Sequence, residues 1–345
     1  MFDMKIGIVG FAGSGKTTLF NALTGQDVPV GFGNKVNLGT IKVPDARVDR
    51  LAEIHQPKKI TYTEIMFADV PGGKGSTSLD SQTLGKIREM DALAQVVRGF
   101  DEGAGTPDPV TEIIGFESEL ILSDMSVVEK RLEKLRKDRS DPKLLELLEQ
   151  CSACLEEEKP LRTLTFSAPE QKMLSGFTFL SAKPIMFVLS LPEGADATRL
   201  PEDVARLSEE KGLTIVPICT AIEAEIASLD KEDQLEFLKD LGLTEPASVR
   251  FIKSAYRLLN LITFLTQGPD ECRAWSIRDG YNAQEAAGAI HSDLARGFIR
   301  AEVISFDDFV KTGSEAACRE NGTLRVEGKE YIVKDGDIMH VRFNV

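Results

Sequence analysis

"GFAGSGKTT", Gly10 to Thr18, follows directly on the strand-like run Lys5-Ile6-Gly7-Ile8-Val9. Residues 10–17 fit the spacing GxxxxGK[ST], and strand, glycine-rich loop and helix in that order are the setting in which the pattern cradles phosphate. The glycines let backbone N–H groups converge on phosphate oxygens. The expected cradle is Gly10, Gly13, Ser14, Gly15, Lys16, Thr17 and Thr18. Lys16 offers a point charge to the β and γ phosphates, and the Thr17 hydroxyl is placed to ligate Mg²⁺. The helix that follows, from Lys16 to Leu23, turns its positive N-terminus toward the same oxygens.

A magnesium site in this setting needs a carboxylate at the end of a neighbouring strand. "ITYTEIMFADVPGG", Ile60 to Gly73, supplies one. Glu64 to Ala68 reads as a core strand, and Asp69 stands at its end as the second expected metal ligand. Asp69-Val70-Pro71-Gly72 reads as DxxG, in which the Gly72 N–H meets the γ-phosphate.

Working outward, Val36 to Val43 reads as a strand, Asp45 to about His55 as a helix, and Ala92 to Arg98 as another strand. Ile121, Met125, Val128, Leu132 and Leu135 step by 4, 3, 4 and 3, an a/d seam. Ser140-Asp141-Pro142 is a turn and helix start. Leu144, Leu148, Cys151 and Leu155 continue the seam, so a helical hairpin over 115–160 is expected to interrupt the nucleotide domain. Its tip is basic: Lys130, Arg131, Lys134, Arg136, Lys137 and Arg139. These residues read either as a solvated face of Glu–Lys pairs or as an RNA-facing tip. Strands resume at Pro184 to Leu189 and Leu213 to Ile218, with base-reading loops expected at their carboxyl ends. From about residue 262, short strands and compact turns indicate a small β-rich domain. The expected division is 1–114 and 161–261 for the nucleotide domain, 115–160 for the hairpin and 262–345 for the last domain.

The 345 residues are 42% hydrophobic and 28% charged, the profile of a soluble globular protein, with no apolar run long enough to span a membrane. No signal-peptide pattern precedes the first strand, and the five scattered cysteines point to reduced thiols in the cytoplasm. Cys151 and Cys154 form a CxxC without a second ligand pair, and the three histidines form no constellation. A net charge of −14 repels nucleic acid, so any RNA contact must be local.

The chain resembles the Obg-like ATPase family, also called YchF, a branch of the translation-factor-related P-loop GTPases. The likeness extends over almost the whole chain and is densest in "LITFLTQGPDECRAWSIRDGYNAQEAAGAIHSDLARGFIRAEVISFDDFV" and "GSEAACRENGTLRVEGKEYIVKDGDIMHVRFNV", which look like the family's TGS domain. "CTAIEAEIASL", Cys219 to Leu229, looks like its base-side loop, which implicates Thr220 and Ala221. The resemblance implies an α/β Ras-like G domain with an inserted coiled coil and a C-terminal β-grasp-like TGS domain. It also implies ATP preferred over GTP, and ribosome association through the TGS domain and the hairpin tip. A monomer without membrane contact is expected.

Departures from the family pattern fall at the site. Gly13 stands where the family has Asn, an aid to monovalent-cation binding. The switch I threonine is replaced by about Gly33, with Thr40 read as a strand residue. Gly73 stands where the family has a hydrophobic residue and Ras-like proteins have Gln, so no side chain there positions water. In "VLSLPEG" Ser190 takes the place of the base-reading Asn, and Glu193 keeps the acid. Adenine offers a ring acceptor and an amino donor, and a displaced Glu is a poor match to the two donors of guanine. The catalytic residues are unknown from the sequence. Three readings follow: an ATP- or GTP-driven switch on ribosomes or RNA with slow hydrolysis, a nucleotide-gated binding module with little or none, and a small-molecule kinase. The leucine-regular hairpin makes a poor kinase lid.

Overall fold

The computed structural model describes residues 4–30, 35–72, 78–101, 105–138 and 141–344. Gly33, Gly73 and Arg139 lie outside them. In chain order the first elements are β1 (Lys5–Val9), α1 (Lys16–Thr24), β2 (Asn37–Lys42), α2 (Ala46–His55), β3 (Lys59–Thr61), β4 (Glu64–Asp69), α3 (Ser81–Arg88) and β5 (Ala92–Arg98). The hairpin helices α4 (Pro109–Asp138) and α5 (Pro142–Glu156) follow, then α6 (Ala168–Leu174), β6 (Ile185–Ser190), α7 (Glu202–Lys211), β7 (Ile215–Ile218), α8 (Thr220–Ser228), α9 (Lys231–Asp240) and α10 (Ala247–Leu258). The remainder is β8 (Leu261–Thr266), β9 (Glu271–Arg278), α11 (Ala283–Ile290), α12 (Ser292–Arg296), β10 (Phe298–Ser305), α13 (Phe306–Thr312), α14 (Glu315–Glu320), β11 (Arg325–Glu327) and β12 (Asp337–Phe343).

The chain divides into two compact units. One comprises residues 4–40 and 66–255. Its sheet has the order β2-β4-β1-β5-β6-β7, with β1 parallel to β4 and β5, and β6 parallel to β5 and β7. A strand buried on both faces reads as a continuous apolar run, and β6 (IMFVLS) is buried at all six positions. Alternation divides β1 between the two faces. Ile6 and Ile8 are fully buried on one, and Val9 joins Phe11, Phe116, Leu93, Val97 and Phe187 on the other. Central β1 delivers its C-terminal end, and the loop after it, to the carboxyl ends of its parallel neighbours β4 and β5.

Helix α4 begins at Pro109, where Asp108 accepts from the Thr111 N–H at 3.0 Å. Its first three turns bury Ile113, Phe116 and Leu120 in the core of the sheet. From Ile121 onward the seam residues Val128, Leu132 and Leu135 pack instead with Leu144, Leu148, Cys151 and Leu155 of α5. The hairpin is therefore a continuous extension of a core helix. Asp124, fully buried, ties it down by accepting from Leu180 N, Ser181 N and Ser181 Oγ at 2.7–2.9 Å. Cys151 and Cys154 are buried free thiols in the hairpin core, and burial pushes Cys151 up to about 11.

The other unit joins residues 41–65 to 256–344. Its sheet has the order β11-β10-β12-β8-β9-β3, with β8 antiparallel to β9, β10 antiparallel to β11 and β12, and β12 parallel to β8. The helix expected from Asp45 to His55 packs here, because Val48 and Leu51 are buried with Leu265, Ile304 and Ile338. Asp45 caps it by accepting from the Arg47 N–H at 2.9 Å, and Arg47 reaches Asp335 at 2.7 Å. Edge strand β3 pairs in parallel with β9. The other face of the sheet buries Phe264, Ala301, Val303 and Met339 with Ala283 and Ala286 of α11.

Candidate functional site

The loop from Gly10 to Gly15 depends on three glycines in positive-φ backbone: Gly10 at 143°, Gly13 at 79° and Gly15 at 92°. At Gly10 a side chain would also collide with the Val96 carbonyl of β5. The result is a turn that curls back over the end of β1 and opens α1 at Lys16, with Gly15 as its cap.

Lys16 is 7% exposed, and its Nζ donates to the Phe11 carbonyl at 2.6 Å, across the loop. Burial brings its pKa down to about 8, opposed by the charges of Asp69 and Glu112. Thr17 donates its hydroxyl to Asp69 Oδ2 at 3.0 Å. Asp69, 4% exposed at the end of β4, has a carboxyl raised by burial, with Thr17, Lys16 and the Asn37 side chain pulling the other way. Its Oδ1 has no hydrogen-bond partner at normal geometry, and neither has the buried Ser14 Oγ. A buried carboxylate oxygen without a donor beside a threonine hydroxyl is the donor set a hard divalent cation takes, so Thr17 and Asp69 fit Mg²⁺. An unpartnered hydroxyl in a phosphate loop suits a phosphate oxygen.

Gly72 closes the site from the other side. The position a Cβ would take there is 3.0 Å from Lys16 Nζ, 3.1 Å from the Gly10 carbonyl and 3.2 Å from the Ala12 nitrogen. A side chain there would press on the loop backbone by a few tenths of an ångström, and glycine spares the site that contact.

On the base side, Ser190 ends β6 fully buried, and its Oγ shares a 3.3 Å hydrogen bond with Thr220 Oγ1, at the start of α8. A Cβ at Gly15 would lie 3.2 Å from Ser190 Oγ and 3.8 Å from Thr220 Oγ1. The structure thus brings Gly15, Ser190 and Thr220 together. Glu193 and Ala221 are exposed, and Glu193 makes no hydrogen bond or ion pair among the described residues. Thr18 is half-buried on α1, and Thr40 is an exposed residue of β2, as its strand reading requires. At the hairpin tip Lys130 and Lys134 are exposed, Arg136 pairs with Glu149 at 3.0 Å and Lys137 with Glu133 at 2.6 Å.

Three further residues stand at the site. Phe100, after β5, has its Cε1 3.9 Å from the Gly15 Cβ position. Asn37 bears on Asp69 from β2. Glu112, in the first turn of α4, accepts the Arg98 N–H at 3.1 Å, and burial pushes its pKa up to about 7, with Arg98 and Lys16 opposing. No motif marks them; each arrives through the pairing of strands or the seating of α4. Among the described residues no cluster of three or more metal-ligating side chains occurs, and no helix is long and apolar enough to cross a membrane.

A family model described as 50S ribosome-binding GTPase matches residues 5–131. A model for the C-terminal region of YchF GTPases, described as a protein of unknown function, matches residues 261–344. The chain is 40% identical over 360 residues to the ribosome-binding ATPase YchF of Haemophilus ducreyi, with 99% of each covered. It is 38% identical over 364 residues to the protein of that name from Bacillus subtilis, covering 99% of this chain and 100% of the other. The solved structure of the Schizosaccharomyces pombe YchF GTPase matches with a TM-score of 0.87 at 29% identity, over 99% of this chain and 98% of that one.

Proposed function

The chain belongs to the YchF family, and on that premise we propose that it is a ribosome-associated P-loop switch that binds ATP or GTP and hydrolyses it slowly. The observation that carries the reading is the convergence of Lys16, the Thr17–Asp69 pair and Gly72 on one loop. Phosphoryl transfer asks a protein for positioning and charge stabilisation rather than covalent help. Lys16 would leave the Phe11 carbonyl for the β and γ phosphates, and the loop N–H groups with Ser14 would hold the remaining oxygens. Thr17 and Asp69 would hold Mg²⁺, which when bound neutralises phosphate charge. Gly72 would report the γ-phosphate through its N–H, with α3 the next helix along the chain.

Ribosome binding is proposed from the names of the relatives. The expected contacts are the exposed basic residues of the hairpin tip and the C-terminal domain, which we read as TGS-like. Adenine is the favoured base, because the relatives are named ATPases and Ser190 cannot reproduce an asparagine. The reading also holds the chain to be a cytoplasmic monomer, with the G domain divided by the hairpin as the sequence pattern suggests. The second reading, a nucleotide-gated binding module, draws on Gly73, which has no side chain to orient water.

Co-sedimentation with ribosomes separates gating from simple adhesion. Retention should differ at least about threefold, or about 0.7 kcal/mol, between a non-hydrolysable MgATP analogue and MgADP. Equal retention in both, and without nucleotide, contradicts a switch.

A further inference from the structure

Glu112 is a carboxylate that the phosphate-binding reading leaves unused. Its Oε2 accepts the Arg98 N–H at 3.1 Å, and its backbone carbonyl accepts the Gln95 side-chain amide at 3.3 Å. Its Oε1 is buried with no hydrogen-bond partner. One turn further along α4, Phe116 meets Phe11 of the phosphate loop edge to face, with ring centroids 5.8 Å apart. The carbonyl of that same Phe11 holds Lys16 Nζ at 2.6 Å. The first turns of α4 are thus seated against the loop. The charged groups that bear on Glu112 are Arg98 from β5 and Lys16 from α1, and Lys16 in turn feels both Glu112 and Asp69.

The charge of one buried ammonium therefore bears on two carboxylates, Asp69 and Glu112. A triphosphate brings several more negative charges to the same lysine, and like charges in a desolvated site do not all remain ionised. Asp69 would have Mg²⁺ to answer to, whereas among the described residues the cations that bear on Glu112 are Arg98 and Lys16. We propose that Glu112 is a positioning residue of the phosphate site, whose carboxylate offsets Lys16 before nucleotide binds and takes a proton from solvent when the phosphates become that lysine's partner. The balance is simple: one carboxylate and one proton give one carboxyl, and no other bond changes. The position of Glu112 near neutrality, at about 7, makes the exchange visible at ordinary pH.

The inference rests on nucleotide binding by the loop. Its test is calorimetric titration of the full chain with MgATP, or MgGTP if that binds better, at saturating magnesium in buffers of different ionisation enthalpy. The window is pH 6.0–7.5, below the value of about 8 for Lys16, so that the lysine stays mostly charged. Wild type should take up about half a proton per nucleotide at pH 7 and lose affinity about fourfold from pH 6.0 to 7.5. Glu112→Gln should take up no more than about a quarter of a proton at pH 7, the share Lys16 itself contributes, and hold its affinity within about twofold across the window, while Glu112→Asp, which keeps a carboxylate, should retain uptake. Uptake unchanged in Glu112→Gln, or zero uptake in wild type, overturns the proposal, and the wild-type result stands alone if the glutamine variant fails to fold. A chain that binds neither nucleotide gives no heat at all, which overturns the loop reading itself and is distinct from heat without protons.

Discussion

Lys16 Nζ lies 3.0 Å from the place a Cβ on residue 72 would occupy, so the loop cation and the glycine of DxxG are in contact range across the phosphate site. The Gly10 carbonyl and Ala12 nitrogen bound the same point at 3.1 and 3.2 Å. A lysine terminus can swing aside, but two backbone atoms of a tightly turned loop cannot move freely. Gly72→Ala should therefore weaken MgATP at least about tenfold, about 1.4 kcal/mol, and MgADP much less. Parallel titrations with the two nucleotides check it, and equal losses would remove Gly72 from γ-phosphate recognition.

Lys16 is held for binding at a cost to the fold. Its lowered pKa means that the folded chain gives up this proton near pH 8, while the unfolded chain keeps it to the ordinary lysine range. The unfolded state binds more protons between those values, so this group's contribution makes stability rise with pH through that window and carries its full penalty below about 8. Lys16→Met should thus raise stability at pH 7 by about 1–2 kcal/mol and lower nucleotide affinity at least about tenfold. Thermal melts at pH 7 and pH 9.5 should show the gain shrinking at the higher pH. A variant less stable than wild type at pH 7 would contradict the account of this lysine.

Asp69→Asn should leave a folded chain whose affinity for ATP no longer depends on magnesium. The neutral amide relieves a buried carboxyl and removes the charge that complements a divalent cation. Titrations with and without magnesium would show a collapsed difference. A retained dependence would place the metal elsewhere.

Asp124 is the structural counterpart. Three donors and Arg88, at 3.9 Å, converge on a carboxylate without exposure. Asp124→Ala strands two backbone N–H groups and should cost about 2–4 kcal/mol. Denaturant unfolding measures it, and a loss below about 0.5 kcal/mol would mean the hairpin is anchored by its apolar seam alone.

What the sequence reveals and what it hides follow from range. The phosphate loop, Asp69 and the seam from Ile121 to Leu135 are local patterns, and strand, loop and helix stand where the residues put them. The base side is half legible. Ser190 and Thr220 do meet, because parallel strands β6 and β7 end together, but Glu193 points to solvent. The packing of residues 41–65 with the C-terminal strands depends on a parallel pairing between β3 and β9, more than two hundred residues apart in sequence, which no local signal marks. Glu112 is hidden for the same reason: in sequence it is one more acid in a helix's first turn, and only the seating of α4 brings it under the charge of Lys16.

The most direct test of the switch is phosphate release under multiple turnover, first by the isolated chain with MgATP and MgGTP, then with ribosomes added. With charge from Lys16 and metal ligation by Thr17 and Asp69, but no glutamine or hydrophobic side chain at position 73, the isolated rate should fall well below about 1 s⁻¹. Ribosomes should raise it, and less so when Lys130, Lys134 and Arg136 of the hairpin tip are replaced. A fast intrinsic rate, or a slow one that ribosomes leave unchanged, would contradict the account.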